Sequence, residues 1–233
     1  MADAPPGIDL GWGVVAGVAR YLPQSLSDAM GASSHLYLAA NIDLDRAVNW
    51  LAELNAHRPA PDRLVMAALF LKAVTHGLRD VPELNGTMID GEGHPSSTVH
   101  LGVAVARWDG APIVAVLPDA GRRGVDDVMR MLRDLVRRAR TDRLRETDLP
   151  EPTFTVTHLG YLGVQAVFPS IVPPLVGAVG FGKVVEQPSA VQGAVVCSPV
   201  VTATLAAADS VGSHRGARFL ATIDRVLQRP EAL

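Results

Sequence analysis

The chain has 233 residues, with 21 Lys or Arg against 24 Asp or Glu and a net charge of -3, so it lacks the basic field that nucleic-acid binding draws on. Apolar residues make up 48% and charged residues 19%, a composition that builds a buried core and is unlike a disordered chain. No apolar run of about 18 residues provides a membrane span, no basic secretory segment follows the N-terminal Met-Ala-Asp-Ala-Pro-Pro, and the single cysteine, Cys197, excludes an intrachain disulfide and a cysteine-built zinc site. A cytoplasmic protein that engages neither nucleic acid nor membrane is expected.

Residues 1–34 have no clear periodicity and read as an N-terminal extension or linker, with a short helix around Trp12–Leu22. From His35 the pattern sharpens. His35–Ile42 reads as a strand. Asp43 or Asp45 is placed to cap a helix with the apolar stripe Leu44, Val48, Leu51 and Leu54, which Pro59 and Pro61 end. Asp62 is placed to cap a second helix reaching about Arg79. Leu84–Asp90 and Thr98–Arg107 read as strands, with Asp90-Gly91-Glu92-Gly93 as the turn between them. Asp109-Gly110 turns into a strand over Ile113–Leu117.

Val125–Arg143 is the clearest helix. Val125, Val128, Leu132 and Leu135 repeat on one face, and Arg130, Arg133, Arg137, Arg138 and Arg140 occupy the other. Cations suit the C-terminal end of a helix dipole, so this face reads as solvated surface; a phosphorylated ligand or an acidic partner is the alternative. All basic residues except Lys72 and Lys183 are arginine, read as codon bias rather than chemistry. Thr153–His158, Val176–Val185 and Ala194–Ala208 are strand-like, and a last helix covers about Gly216 to Gln228. Strands and helices interleave without a repeat, which predicts one mixed α/β domain of six to eight strands over 35–233. Trp50 and Trp108 read as packing residues.

Several blocks resemble the catalytic domain of the dihydrolipoyl acyltransferases of 2-oxoacid dehydrogenase complexes. Phe70-Leu71-Lys72-Ala73-Val74 and Val81-Pro82-Glu83-Leu84-Asn85 are similar to F-[LI]-[IL]-K-A-[VA] and P-x-[LF]-N. His100-Leu101-Gly102-Val103-Ala104-Val105 is similar to N-[IL]-G-V-A-V, with His in place of Asn. Asp109-Gly110-Ala111-Pro112-Ile113-Val114 resembles that family's D-G-L-x-V-P. Thr153-Phe154-Thr155-Val156-Thr157-His158-Leu159-Gly160 resembles T-F-T-I-S-N-L-G, in register through to Gly180-Phe181-Gly182-Lys183. The blocks stand in family order over about 35–233, leaving 1–34 outside. The resemblance implies a chloramphenicol acetyltransferase-like mixed-sheet sandwich. It also implies a homotrimer with the reaction channel between subunits, and coenzyme A or an acyl-CoA as the small thioester substrate. No metal is implied, and no lipoyl domain or lipoyl group is expected on this chain.

In the family a histidine of the motif D-H-R-x-x-D-G is the general base. It takes the proton of an acceptor thiol that attacks the thioester, while a hydroxyl of the T-I-S-N-L-G block donates to the oxyanion. Thr157 stands at that hydroxyl position. Counted back from the helix motif at Gly216-Ala217-Arg218-Phe219-Leu220, the histidine falls on Ala208 and the second aspartate on Gly212. Counted forward from Pro199, the histidine falls on Asp209.

His158, beside Thr157, and His214, near the last helix, are the alternative bases, and Asp209 is a carboxylate at the vacated place. Alternation along a strand points His158 away from the Thr157 hydroxyl. His100 reads as a structural hydrogen-bonder, Cys197 as a small buried hydrophobe, and His35, His57, His76 and His94 have no partner motif. No His-x-x-x-His spacing, dinucleotide fingerprint or Gly-x-Ser-x-Gly elbow occurs. Two readings follow: a divergent CoA-dependent acyltransferase with an altered base and a thiol or hydroxyl acceptor, and an inactive trimeric scaffold or binding module.

Overall fold

A computed structural model of the chain describes residues 35–107, 110–141, 143–144, 151–191 and 193–233; the expected helix around Trp12–Leu22, Trp108 and Asp109 lie outside them. The order is β1 (His35–Asp43), α1 (Asp45–Ala56), α2 (Met66–Asp80), β2 (Gly86–Ile89), β3 (Glu92–Pro95), β4 (Leu101–Arg107), β5 (Gly110–Leu117), α3 (Val125–Arg140), β6 (Phe154–His158), β7 (Gly177–Phe181), β8 (Val185–Val191), β9 (Ala194–Ala208) and α4 (Ser213–Leu227). Seven strands form one mixed sheet in the order β1-β9-β7-β6-β4-β5, with β8 also paired to β9. The pairs β7/β6 and β6/β4 are parallel and the others antiparallel.

Alternation along the strands divides the sheet into two unlike faces. One carries Ile42, Phe154, Val156, Val179, Phe181, Ala203 and Leu205, all buried in the hydrophobic core. Phe181 stacks on Phe70 of α2 at 4.5 Å, and Phe154 tilts against Phe219 of α4 at 5.5 Å. Gly216 of α4 leaves room there for Leu38 and Leu205. The opposite face carries Tyr37, Thr155, Thr157, Ala178, Gly180, Thr204, Ala206 and Ala208. Part of it is crossed by the segment 164–168: the buried Thr204 hydroxyl donates to the Val167 carbonyl, and Tyr37 meets Phe168 edge-on at 6.4 Å.

Several polar side chains hold loops and helices together. The buried Lys72 ammonium donates to the Arg123 carbonyl and Arg79 donates to that of Gly121, tying α2 to the loop before α3. Asn85 donates to the carbonyls of Ser96 (3.0 Å) and Thr98 (2.8 Å) and accepts from the Thr153 hydroxyl (2.6 Å). Asp80 accepts from Arg218 Nε (3.2 Å) and from the Thr222 hydroxyl (2.6 Å), which holds its carboxyl down at about 2 and joins α2 to α4.

Some expectations change. Asp43 does accept from the Asp45 N–H at 2.8 Å. Asp62, however, caps nothing: it ends a 3-10 turn, and α2 starts later, at Met66, after an extended Val65. The Asp90-Gly91 turn, with both φ values positive, joins β2 to the extra short strand β3 and not to β4. These two strands form a separate sheet, so the described residues hold more strands than the six to eight expected. Val176–Val185 is not one strand; β7 ends at Phe181 and β8 begins at Val185. Cys197 is on β9 but exposed, because that end of the strand pairs only with β8.

Candidate functional site

Thr157 lies on β6 opposite Gly180 of β7, which in turn lies opposite Thr204 of β9. These three positions share the face turned away from the helices. Thr157 is half-buried, and no described side chain hydrogen-bonds its hydroxyl. The neighbouring glycines are required by the crossing segment. A Cβ on Gly180 would overlap the Val167 carbonyl, and one on Gly182 would overlap that of Gln165. The sequence shows these glycines but not the chain that passes over them.

His158, the next residue of β6, points to the helix face. Its ring meets Phe70 edge-on at 5.7 Å and Tyr161 at 6.5 Å. It borders a mainly apolar cavity of about 130 Å³ among Phe70, Leu71, Val103, Leu132 and Val156. Burial pushes its pKa down, favouring the neutral ring. Phe70 and Tyr161 as its neighbours were not legible in the sequence, since they come from α2 and from the turn after β6. Thr157 and His158 therefore do not converge.

Ala208 is the last residue of β9 and is buried; Asp209 follows, exposed, in a 3-10 turn. Gly212, at φ 77, then admits the chain to α4, where His214 is exposed in the first turn. From Thr157, residue 208 is two strands across and four residues along β9, about 10 Å by about 14 Å and so roughly 17 Å away. One chain by itself does not bring the hydroxyl and this position together.

The residue directly opposite Ala208 in the ladder is His35 of β1. His100 does act as the expected hydrogen-bonder: Nδ1 accepts from the Asp119 N–H at 3.1 Å, so the neutral ring carries its proton on Nε2, 3.0 Å from the Thr98 hydroxyl. The basic face of α3 is engaged within the chain: Arg130 pairs with Asp127, Arg137 and Arg138 with Asp134, and Arg133 donates to the carbonyls of Pro61 and Arg63. Among the described residues no cluster of His, Cys, Asp and Glu fits a metal ion, and no helix is long and apolar enough to cross a membrane.

A mixed sheet with helices packed on one face is a fold that this chain shares with chloramphenicol acetyltransferase-like acyltransferases. The sequence model of the 2-oxoacid dehydrogenases acyltransferase (catalytic domain) matches residues 14–233, and the chain belongs to that family. The match begins ahead of His35, within the segment that the motif blocks leave out. The chain is 24% identical over 215 residues to the mitochondrial dihydrolipoyllysine-residue acetyltransferase component of the pyruvate dehydrogenase complex of Schizosaccharomyces pombe, covering 91% of this chain and 44% of that protein. It spans about half the length of the curated relatives it matches. The fold superposes on the dihydrolipoamide acetyltransferase of Azotobacter vinelandii with a TM-score of 0.81, at 21% identity and covering 100% and 99% of the two chains; one serine, one histidine and an asparagine four residues beyond that histidine have been investigated for their role in its catalytic mechanism. A chloramphenicol acetyltransferase superposes with a TM-score of 0.55, at 10% identity, over 84% of this chain and 89% of that one.

Proposed function

We propose that this chain is a homotrimeric acyltransferase that moves an acyl group from a coenzyme A thioester to a small thiol or hydroxyl acceptor. The observation that carries the reading is the Thr157 hydroxyl on the sheet face that no described helix covers, at the hydroxyl position of the family block and roughly 17 Å from the end of β9 in the same chain. That separation suits a channel in which the hydroxyl and the proton acceptor come from neighbouring subunits.

The chemistry follows from these groups. A base removes the acceptor S–H or O–H proton. The resulting anion attacks the thioester carbonyl, and the Thr157 hydroxyl donates to the oxyanion that forms. Collapse breaks the C–S bond, and the coenzyme A thiolate recovers the proton from the base. One oxyanion donor contributes roughly 10²–10³-fold. Release of free coenzyme A from acetyl-CoA, with a dithiol and a panel of alcohols as acceptors, tests the reading. Thr157→Val is expected to lower the rate by that factor while coenzyme A still raises Tm, because a ligand bound only to the native state stabilises it. An unaltered rate in Thr157→Val removes the assigned role.

A second reading is an inactive trimeric scaffold, favoured by Ala208 and Gly212. They have the spacing of four of the Azotobacter histidine and asparagine, and neither can move a proton. Absence of turnover with every acceptor, together with no Tm shift at millimolar coenzyme A, would establish it.

A further inference from the structure

We propose that His35 is the general base of this site, a role that rests on the acyltransferase reading above. β1 and β9 pair antiparallel from Asp43↔Val200 to His35↔Ala208, so His35 and Ala208 form the last pair of the ladder. Directly opposed residues in such a pair share one face, with Cβ atoms about 4.5–5.5 Å apart. An imidazole rooted at residue 35 therefore reaches the same space as one rooted at residue 208.

The face is fixed by its neighbours. Tyr37, two residues along, packs edge-on against Phe168 at 6.4 Å on the side opposite the described helices. Leu36 and Leu38 turn the other way, onto Gly216 of α4. His35 thus lies on the face that carries Thr157, and it is half-buried, so its ring is within reach of an acceptor.

The other candidates are placed worse. His158 is on the opposite face, in the apolar cavity. His214 is exposed beyond the turn at Gly212. Asp209 is an exposed carboxylate, a weak base for a thiol or an alcohol. Imidazole is the side chain suited to take and return a proton near neutral pH. In the proposed step a ring nitrogen of His35 takes the acceptor S–H or O–H proton as the acceptor attacks the thioester, and it gives that proton to the departing coenzyme A thiolate. No oxidant or further reactant is consumed. The substitution of alanine at 208 then moves the base across the ladder by one strand and does not abolish it.

The test measures coenzyme A release by the 233-residue chain, wild type and variants, with the trimer checked by light scattering. His35→Ala is expected to lose roughly 10²–10⁴-fold in rate with an unchanged coenzyme A-induced Tm shift. Added imidazole is expected to restore part of the lost rate. The double variant His35→Ala with Ala208→His is expected to recover activity by returning the ring from across the ladder. Should His35→Ala fail to assemble, His35→Gln, which keeps size and polarity, decides. A wild-type rate in an assembled His35→Ala or His35→Gln protein overturns the assignment of His35 and leaves the acyltransferase reading standing. No turnover by the wild-type protein overturns that reading itself, and the role of His35 with it.

Discussion

At the residue scale, two imidazoles couple stability to pH. His158 is desolvated beside Phe70 and Tyr161, and its pKa is pushed down. His76 is lowered first by burial and then by Lys72 and Arg79. The unfolded chain binds a proton at each below about pH 6.5, while the folded chain does not until a lower pH. Their stabilising contribution is therefore complete above about pH 6.5 and declines as the pH falls from there toward the depressed folded values. Thermal melts from pH 7.5 to 5 are expected to show Tm falling with acid. His158→Phe, which fills the same apolar surroundings without a titrating group, is expected to flatten part of that fall. An identical slope in the variant would contradict the assignment.

At the element scale, the crossing of β7 by the segment 164–168 depends on Gly180 and Gly182. A methyl group on either overlaps a carbonyl of that segment, and backbone moves less readily than a side-chain tip. Gly180→Ala and Gly182→Ala are expected to cost about 1–3 kcal/mol each and to expose 164–168 to proteolysis. Gly93, exposed on β3, where an added Cβ meets only the Met88 sulfur at 3.8 Å, is the comparison; Gly93→Ala is expected to stay within about 0.5 kcal/mol. Urea denaturation curves read the difference directly. Because the crossing segment also covers Thr204 and lies on Gly180, the ladder neighbour of Thr157, the glycine variants are expected to lower coenzyme A release as well.

At the scale of the whole molecule, the sheet face opposite the described helices carries unburied aromatic surface. Tyr37 is 44% exposed and Phe168 63%, and the two rings touch. At the far end of β9, Val195 is 79% exposed. Contiguous exposed apolar surface marks an interaction site more often than chance placement. In the proposed homotrimer this face is the expected contact, with the Thr157 of one subunit turned toward the β1–β9 end of another. Light scattering is expected to return about three times 24.6 kDa. Replacing Phe168 by Glu is expected to lower that mass and the transferase rate together; a monomer in the wild-type protein at micromolar concentration would remove the interfacial channel.

The sequence by itself determined the types of the long elements, since the 3.6-residue stripes of α2 and α3 and the alternation of β6 and β9 are local properties of consecutive residues. Alternation along β6 also turned His158 away from Thr157, as the structure has it. Only the tertiary structure decided what stands next to what. The β1–β9 register that sets His35 against Ala208 is chosen by burying Leu36, Leu38, Ala40 and Ile42 against the helices, and a slip of one residue would turn His35 to the other face. The exposure of Cys197 follows from β9 outrunning β1 and β7, so that only β8 flanks it there. Both depend on pairings between distant segments, which carry no periodic signal in either segment alone.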